Sequence, residues 1–222
     1  MVLVGDNIMD IPVELYQESD RRRNTSNTNH EQYDRDGFFV IKNIIDVSSL
    51  TEDVPEYRGM FDYTMGVKKE VDGKDEIATT SSNRHSRRNT PIFARSYLKV
   101  KQRIQKEIDK KLYNTYWFDR YYFNGSYLTP HVDRPACEIS CSIHLGSNLE
   151  TPWAFGILDG DDKQHELYLN PGDAVVYKGC ERIHWRPAFP VAPDESYYHN
   201  AFFHYVLQSG IRSHYAYDNG GQ

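Results

Sequence analysis

Between residues 115 and 207 the chain breaks into short strand-forming runs separated by turn signals, with no helix-length segment between them. The runs are 115–123, 128–133, 138–145, 153–158, 166–169, 174–177, 183–186 and 198–207. Residues 124–126 (Asn-Gly-Ser), 148–152, 159–163, 170–173 (Asn-Pro-Gly-Asp) and 187–195 punctuate them. A parallel sheet needs crossovers of roughly a dozen residues or more, usually helical, and there is no room for them here. Short strands at this spacing pack as an antiparallel sandwich or barrel.

The N-terminal half has a different texture. Tyr97, Val100, Ile104, Ile108 and Leu112 recur at three- and four-residue steps, with Lys, Arg, Glu and Gln between them. That stripe predicts a helix over 92–113 with one buried face. The apolar run 37–45 reads as a buried strand, and a short helix is expected to start at Ser48 or Ser49. Segments 17–36 and 67–91 are almost wholly polar; the first reads as a loop or flexible lead-in, the second as a lid, a binding loop or disorder, and both as lids or disordered segments. The expectation is one structural domain, mainly β: residues 1–114 form a helical and loop support, and residues 115–222 form the β core.

Composition sharpens this. The 222 residues include 17 Tyr and 10 Phe, yet mean hydropathy is −0.72. Tyr and Phe suit half-buried pleated surfaces and polar-tipped pockets, so an aromatic-lined β interior is expected. A net charge of −6 does not suit a nucleic-acid coat. No stretch is long and apolar enough for a membrane span. Cys137, Cys141 and Cys180, without a secretory leader, suggest reduced thiols and a cytoplasmic location. Four residues of strand separate Cys137 from Cys141 by about 13 Å, too far to share one zinc.

The chemistry concentrates at His131-Val132-Asp133. In an extended segment residues i and i+2 share a face, about 6.6 Å apart, so imidazole and carboxylate converge while Val132 faces away. His184, 51 residues beyond Asp133, is the candidate third ligand. Two His and one carboxylate, with open positions opposite, suit non-haem Fe(II).

With the 170–173 turn between them and Tyr121, Asn124, Gly125 and Tyr127 leading in, these residues resemble the Fe(II)/2-oxoglutarate-dependent dioxygenases, in their prolyl-hydroxylase-like group. The resemblance spans about residues 115–210. It implies a double-stranded β-helix (the jelly-roll, cupin-like fold) with Fe(II) held by His131, Asp133 and His184. It also implies 2-oxoglutarate as chelating cosubstrate and O2 as oxidant. The expected activity is hydroxylation of a C–H bond in a protein, peptide or small-molecule substrate, with release of succinate and CO2. The retained Asp133 fits a hydroxylase or a demethylase rather than a halogenase.

The resemblance also suggests cosubstrate contacts. Tyr121, ten residues before His131, stands where such enzymes place a tyrosine reaching the cosubstrate. His144 shares an alternating face with Ser140 and Ser142, the face that touches the distal carboxylate in relatives. The basic residue expected nine to eleven positions after the distal His is missing: Pro193, Asp194 and Glu195 stand there. Arg186, two residues after His184 and so on the same strand face, is the substitute cation. Asn200 and His204, with His199, are further candidates. Two other readings compete: a cupin-like metalloenzyme that does not use 2-oxoglutarate, and a non-enzymatic jelly-roll binding module.

Overall fold

A computed structural model describes residues 29–48, 50, 70–71, 74–75 and 84–218. In chain order the elements are α1 (Asn29–Asp36), β1 (Phe38–Ile41), β2 (Glu70–Val71), β3 (Lys74–Asp75), β4 (Arg84–Arg88), α2 (Ala94–Ile108), β5 (Leu112–Tyr122), β6 (Leu128–His131), β7 (Ile139–Ser147), β8 (Phe155–Leu158), β9 (Gln164–Leu167), β10 (Ala174–Lys178), β11 (His184–Arg186) and β12 (Tyr198–Leu207).

β8 and β9 form an inner hairpin. Around it the chain pairs in nested antiparallel fashion: β7 with β10, β6 with β11, β5 with β12. Each nested pair joins one of two sheets, ordered β1-β10-β7-β12-β5-β4 and β6-β11-β8-β9. This winding is the expected double-stranded β-helix. β1 and β4, both N-terminal to the expected core, are the two edge strands of the larger sheet.

Alternation along the strands decides what faces inward. On β7, Ile139, Cys141, Ile143 and Leu145 join the core under α2, while Ser140, Ser142 and His144 point the other way. From α2, Tyr97, Val100, Ile104 and Ile108 supply the helical side of that core. Inside the barrel, Phe155, Ile157 and Leu167 of the smaller sheet meet Val40, Val175 and Tyr177 of the larger. No helix among the described residues is long and apolar enough to cross a membrane.

Three expectations change. The helix ends at Ile108, not at 113, because Asp109 turns left-handed (φ 50°, ψ 41°). Leu112 then starts β5, its N–H donating to Gln105 Oε1 at 2.9 Å. The polar segment 17–36 is not loop throughout, since 29–36 is α1. Tyr33 buries its ring edge-on against Phe39, and His30 Nδ1 meets the Ile108 carbonyl at 2.8 Å, closing the end of α2. The polar segment 67–91 ends in β4, paired with β5 from Arg84↔Tyr122 to Arg88↔Phe118. The same segment holds the short β2–β3 pair, Glu70↔Asp75 and Val71↔Lys74. Its other residues before 84, residues 17–28 and most of the helix expected from Ser48 or Ser49 lie outside the described residues.

Candidate metal centre

His131 closes β6 and His184 opens β11, and these strands pair with His131 directly opposite His184. The two rings lie 4.3 Å apart. Asp133 follows two residues after His131, its N–H donating to the Gly179 carbonyl at 2.7 Å. Val132 between them is exposed, as its alternation requires. One ligand atom from each of His131, Asp133 and His184 lies within 4.8 Å of the others. Asp133 Oδ1 is 3.6 Å from His131 Nε2 and 3.5 Å from His184 Nε2.

Backbone carbonyls orient both imidazoles. His131 Nδ1 lies 2.8 Å from the Thr129 carbonyl, and His184 Nδ1 lies 3.0 Å from the Arg182 carbonyl. With Nδ1–H donating there, each Nε2 presents its lone pair to the centre, as a metal ligand must. The Ser140 hydroxyl donates to Asp133 Oδ2 at 2.6 Å, leaving Oδ1 for the centre. Burial by itself raises the Asp133 carboxyl. In the metal-free centre the neighbouring His184 and His131 imidazoles outweigh it and hold the group well below the usual carboxylate range.

Cys137 and His204 crowd the other side of Asp133, also within 4.8 Å. Burial pushes the Cys137 thiol up, so it stays protonated. His204 Nδ1 is 3.0 Å from Ser140 Oγ, so it supports the hydroxyl that holds Asp133. Tyr177, on β10 of the facing sheet, brings its hydroxyl to 3.4 Å from His184 Nε2.

Deeper in the barrel, Arg186 is 2% exposed. Its guanidinium lies 4.8 Å from the Trp153 ring centre and 4.6 Å from that of Tyr198. One terminal nitrogen donates to Asn200 Oδ1 at 3.0 Å, and Asn200 Nδ2 donates to Ser142 Oγ at 2.9 Å. The other reaches the Trp153 carbonyl at 3.3 Å. Arg186 Nε and His144 Nε2 are buried with no hydrogen-bond partner among the described residues. Phe155 links the two levels, its ring centre 5.7 Å from the His184 ring and 5.6 Å from the Arg186 guanidinium.

The same architecture recurs in known structures. A 2OG-Fe(II) oxygenase-family oxidoreductase from Burkholderia pseudomallei superposes with a TM-score of 0.56 at 11% identity, covering 80% of this chain and 88% of that one. EctD from S. alaskensis, solved with 2-oxoglutarate and 5-hydroxyectoine, gives 0.56 at 15% identity over 83% and 79%. A viral collagen prolyl hydroxylase from Paramecium Bursaria Chlorella virus-1 gives 0.50 at 10% identity over 78% and 97%. The fold is that of the 2OG-Fe(II) oxygenases. No protein-family model and no curated protein matches the sequence.

Within this oxygenase fold most of the sequence-predicted residues converge. His131, Asp133 and His184 meet at one end of the barrel interior, and Arg186, Asn200 and His144 meet further in. His204 points inward too, but beside Asp133. Tyr121 is a correction, because it faces the opposite side of the sheet. It stacks on His199 at 3.8 Å and borders a cavity of ≈ 90 Å³ with Phe93 and Leu145. Residues 124–126 turn the chain between β5 and β6, so counting back ten residues from His131 does not preserve the face. Tyr122 is the β5 tyrosine that faces Arg186, at 6.0 Å. His199 shares the outer face with Tyr121 and binds Asp119 Oδ2 at 2.7 Å. Sequence reasoning missed Ser140 as the hydroxyl that orients Asp133. It also missed Tyr177, whose only signal was its inward place on an apolar strand.

Proposed function

We propose that this protein is an Fe(II)- and 2-oxoglutarate-dependent oxygenase that hydroxylates a C–H bond of its primary substrate. The observation that carries the reading is the pairing of a two-His, one-carboxylate cluster with a buried arginine that has no carboxylate partner among the described residues. An arginine stays charged in any protein interior, and an unmatched buried charge is costly. Arg186 lies two residues along β11 from His184, about 6.6 Å in an extended strand. That offset suits a short dicarboxylate with one end at the triad and the other at Arg186.

His131, Asp133 and His184 would hold the metal, and the donor set of two imidazoles and one carboxylate fits Fe(II). Arg186 would receive the distal carboxylate, with Asn200 keeping its guanidinium in plane. Phe155, Tyr177 and Tyr198 exclude water between the two ends, and Ser140 keeps Asp133 aimed. Bound together, Fe(II), 2-oxoglutarate and O2 supply the oxidising chemistry, releasing succinate and CO2 as one oxygen atom enters the substrate. The cupin alternative usually draws on three or four His with a Glu, whereas the carboxylate here is Asp133, two residues from a ligand histidine.

The test is anaerobic titration of the protein with Fe(II) and then 2-oxoglutarate, followed by a succinate assay in air. One Fe(II) per chain, a metal-to-ligand absorption band on adding 2-oxoglutarate, and succinate formation are expected. His131→Ala and Asp133→Ala should abolish all three. A band of normal intensity in those variants would exclude the assignment.

A further inference from the structure

The larger sheet runs past the barrel at one edge. β8 and β9 pack on β10 and β1, and β11 reaches β12 through Arg186 and Asn200. β4 lies beyond β5 at the far end of the larger sheet. The pairings Ser86↔Arg120 and Arg88↔Phe118 put these four on one face of the sheet, while Arg87 and Asp119 pair on the other.

That inner face is aromatic and cationic. Tyr116 and Phe118 stack at 6.2 Å, and Phe118 stacks on Phe202 at 4.5 Å. The Arg120 guanidinium lies 5.2 Å from the Phe118 ring centre and 5.8 Å from that of Phe202. Its Nε donates to Ser86 Oγ at 2.8 Å, and one terminal nitrogen reaches Tyr122 Oη at 3.3 Å. Arg88 lies 4.3 Å over the Tyr116 ring. Arg134, which covers the same ring, is matched by Asp218 at 2.6 Å. Arg120 is 8% exposed, and neither it nor Arg88 forms an ion pair among the described residues.

The wall adjoins the metal centre. Phe118 is 5.6 Å from the His204 ring, and His204 contacts the Ser140 hydroxyl that holds Asp133. Both guanidinium groups lie near Tyr122, Arg120 at 5.5 Å and Arg186 at 6.0 Å from its ring centre. Their hydrogen bonds differ: Arg120 donates to Ser86 and Tyr122, Arg186 to Asn200 and the Trp153 carbonyl.

A buried guanidinium held only by hydroxyls and ring faces keeps its charge and leaves N–H donors for an anion. Aromatic faces beside it suit a flat or apolar body. We infer that the β4–β5 wall binds the primary substrate through an oxyanion, carboxylate or phosphate, received by Arg120 and Arg88, with Tyr116, Phe118 and Phe202 against the substrate body. This rests on the oxygenase reading and adds the substrate's chemical class.

The experiment compares matched probes by calorimetry: indole-3-acetate against indole-3-acetamide, and adenosine 5′-monophosphate against adenosine. Each pair is run with the protein alone and with the protein loaded anaerobically with Fe(II) and 2-oxoglutarate. At least one anionic member should bind about tenfold or more tighter than its neutral partner, the scale of a charge-assisted hydrogen bond. Which pair responds separates carboxylate from phosphate. Arg120→Gln should erase the preference. So should Arg88→Gln, a surface change that leaves the core untouched. Arg120→Lys should retain part of it.

Equal binding within both pairs, or no binding by any probe, overturns the inference. So does a preference that survives the Arg88→Gln, Arg120→Gln double variant. Displacement of the anionic probe by 2-oxoglutarate also overturns it, by placing the anion at Arg186. Failure of Fe(II) and 2-oxoglutarate to bind would instead sink the oxygenase reading, and the runs with protein alone keep the two failures apart.

Discussion

At the scale of single residues, the centre depends on groups that do not touch a metal. Ser140 is wholly buried and joins Asp133 to His204. Ser140→Ala should free the carboxylate to rotate and lower Fe(II) affinity about 10- to 100-fold, the usual cost of losing an outer partner. An anaerobic metal titration reads this, and an unchanged melting curve shows that the fold survives. Gly179 is constrained in the same place. A Cβ there would lie 2.7 Å from Asp133 Oδ2 and 2.1 Å from the Cys137 carbonyl, so no side chain fits without moving Asp133 or the Cys137 backbone. Arg186 makes a sharper test because its two roles oppose each other. Arg186→Met keeps the volume and removes an unmatched buried charge, a change that is often neutral or stabilising. It should abolish 2-oxoglutarate binding while leaving the thermal midpoint of the cosubstrate-free protein unchanged or higher. A lowered midpoint with intact binding would mean that Arg186 only braces the barrel.

At the scale of elements, α2 is the support against which the larger sheet forms. Ile104 is fully buried between the helix and the sheet. Ile104→Ala should cost about 2–5 kcal/mol in denaturant unfolding, with Fe(II) binding retained in the protein that remains folded, because the triad lies on the other side of the sheet. The legibility of each element follows from what its side chains do. α2 and the strands from β5 onward were readable because burial on one face imposes a period on the apolar residues. α1 and β4 were not, because the residues that dock them are polar. On α1 the polar Gln32 and Asp36 are buried beside a single aromatic ring, Tyr33, too little to make an apolar stripe, and β4 joins the sheet through backbone pairing and an arginine bound to Asp119. The convergence of His131, Asp133 and His184 was legible because His131-x-Asp133 carries its own geometry. The inward place of Arg186 was legible for the same reason, being two residues from His184 on one strand. Tyr121 was misread because the turn between β5 and β6 does not carry strand parity across it. Asp109 illustrates the limit on boundaries: nothing in the apolar stripe marks the left-handed residue that ends α2 before Leu112. Asp109→Gly should be neutral or stabilise by up to about 1 kcal/mol, since glycine adopts that conformation without strain.

At the scale of the whole molecule, an aromatic interior that buries imidazoles and thiols fixes the pH range of stability. Burial pushes His144 down to about 4 from an ordinary 6.5, partly offset by the Leu169 carbonyl, and it pushes His204 down to about 4 as well. The unfolded chain therefore takes up protons at these positions as pH falls through 6.5, while the folded chain resists until about 4. Stability is complete above pH 6.5 and is lost across that window, by up to about 3 kcal/mol for each histidine. Asp133 acts in the same direction at lower pH, because its folded carboxyl stays ionised well below its ordinary value. On the alkaline side the sign reverses. Burial raises the thiols of Cys137 and Cys141, and Cys180 to about 11, so the unfolded chain releases protons first above pH 9 and stability falls as pH rises. The expected profile is a plateau from about pH 6.5 to 9 with a slope on each side. Urea midpoints taken between pH 4.5 and 10 on the metal-free protein trace it. His144→Gln should flatten the acid limb by roughly half while sparing the alkaline one, since the other buried imidazole still titrates. An acid limb unchanged in that variant would show that His144 is solvated and that the inner end of the barrel is wet, which would also weaken the case for a desolvated carboxylate at Arg186.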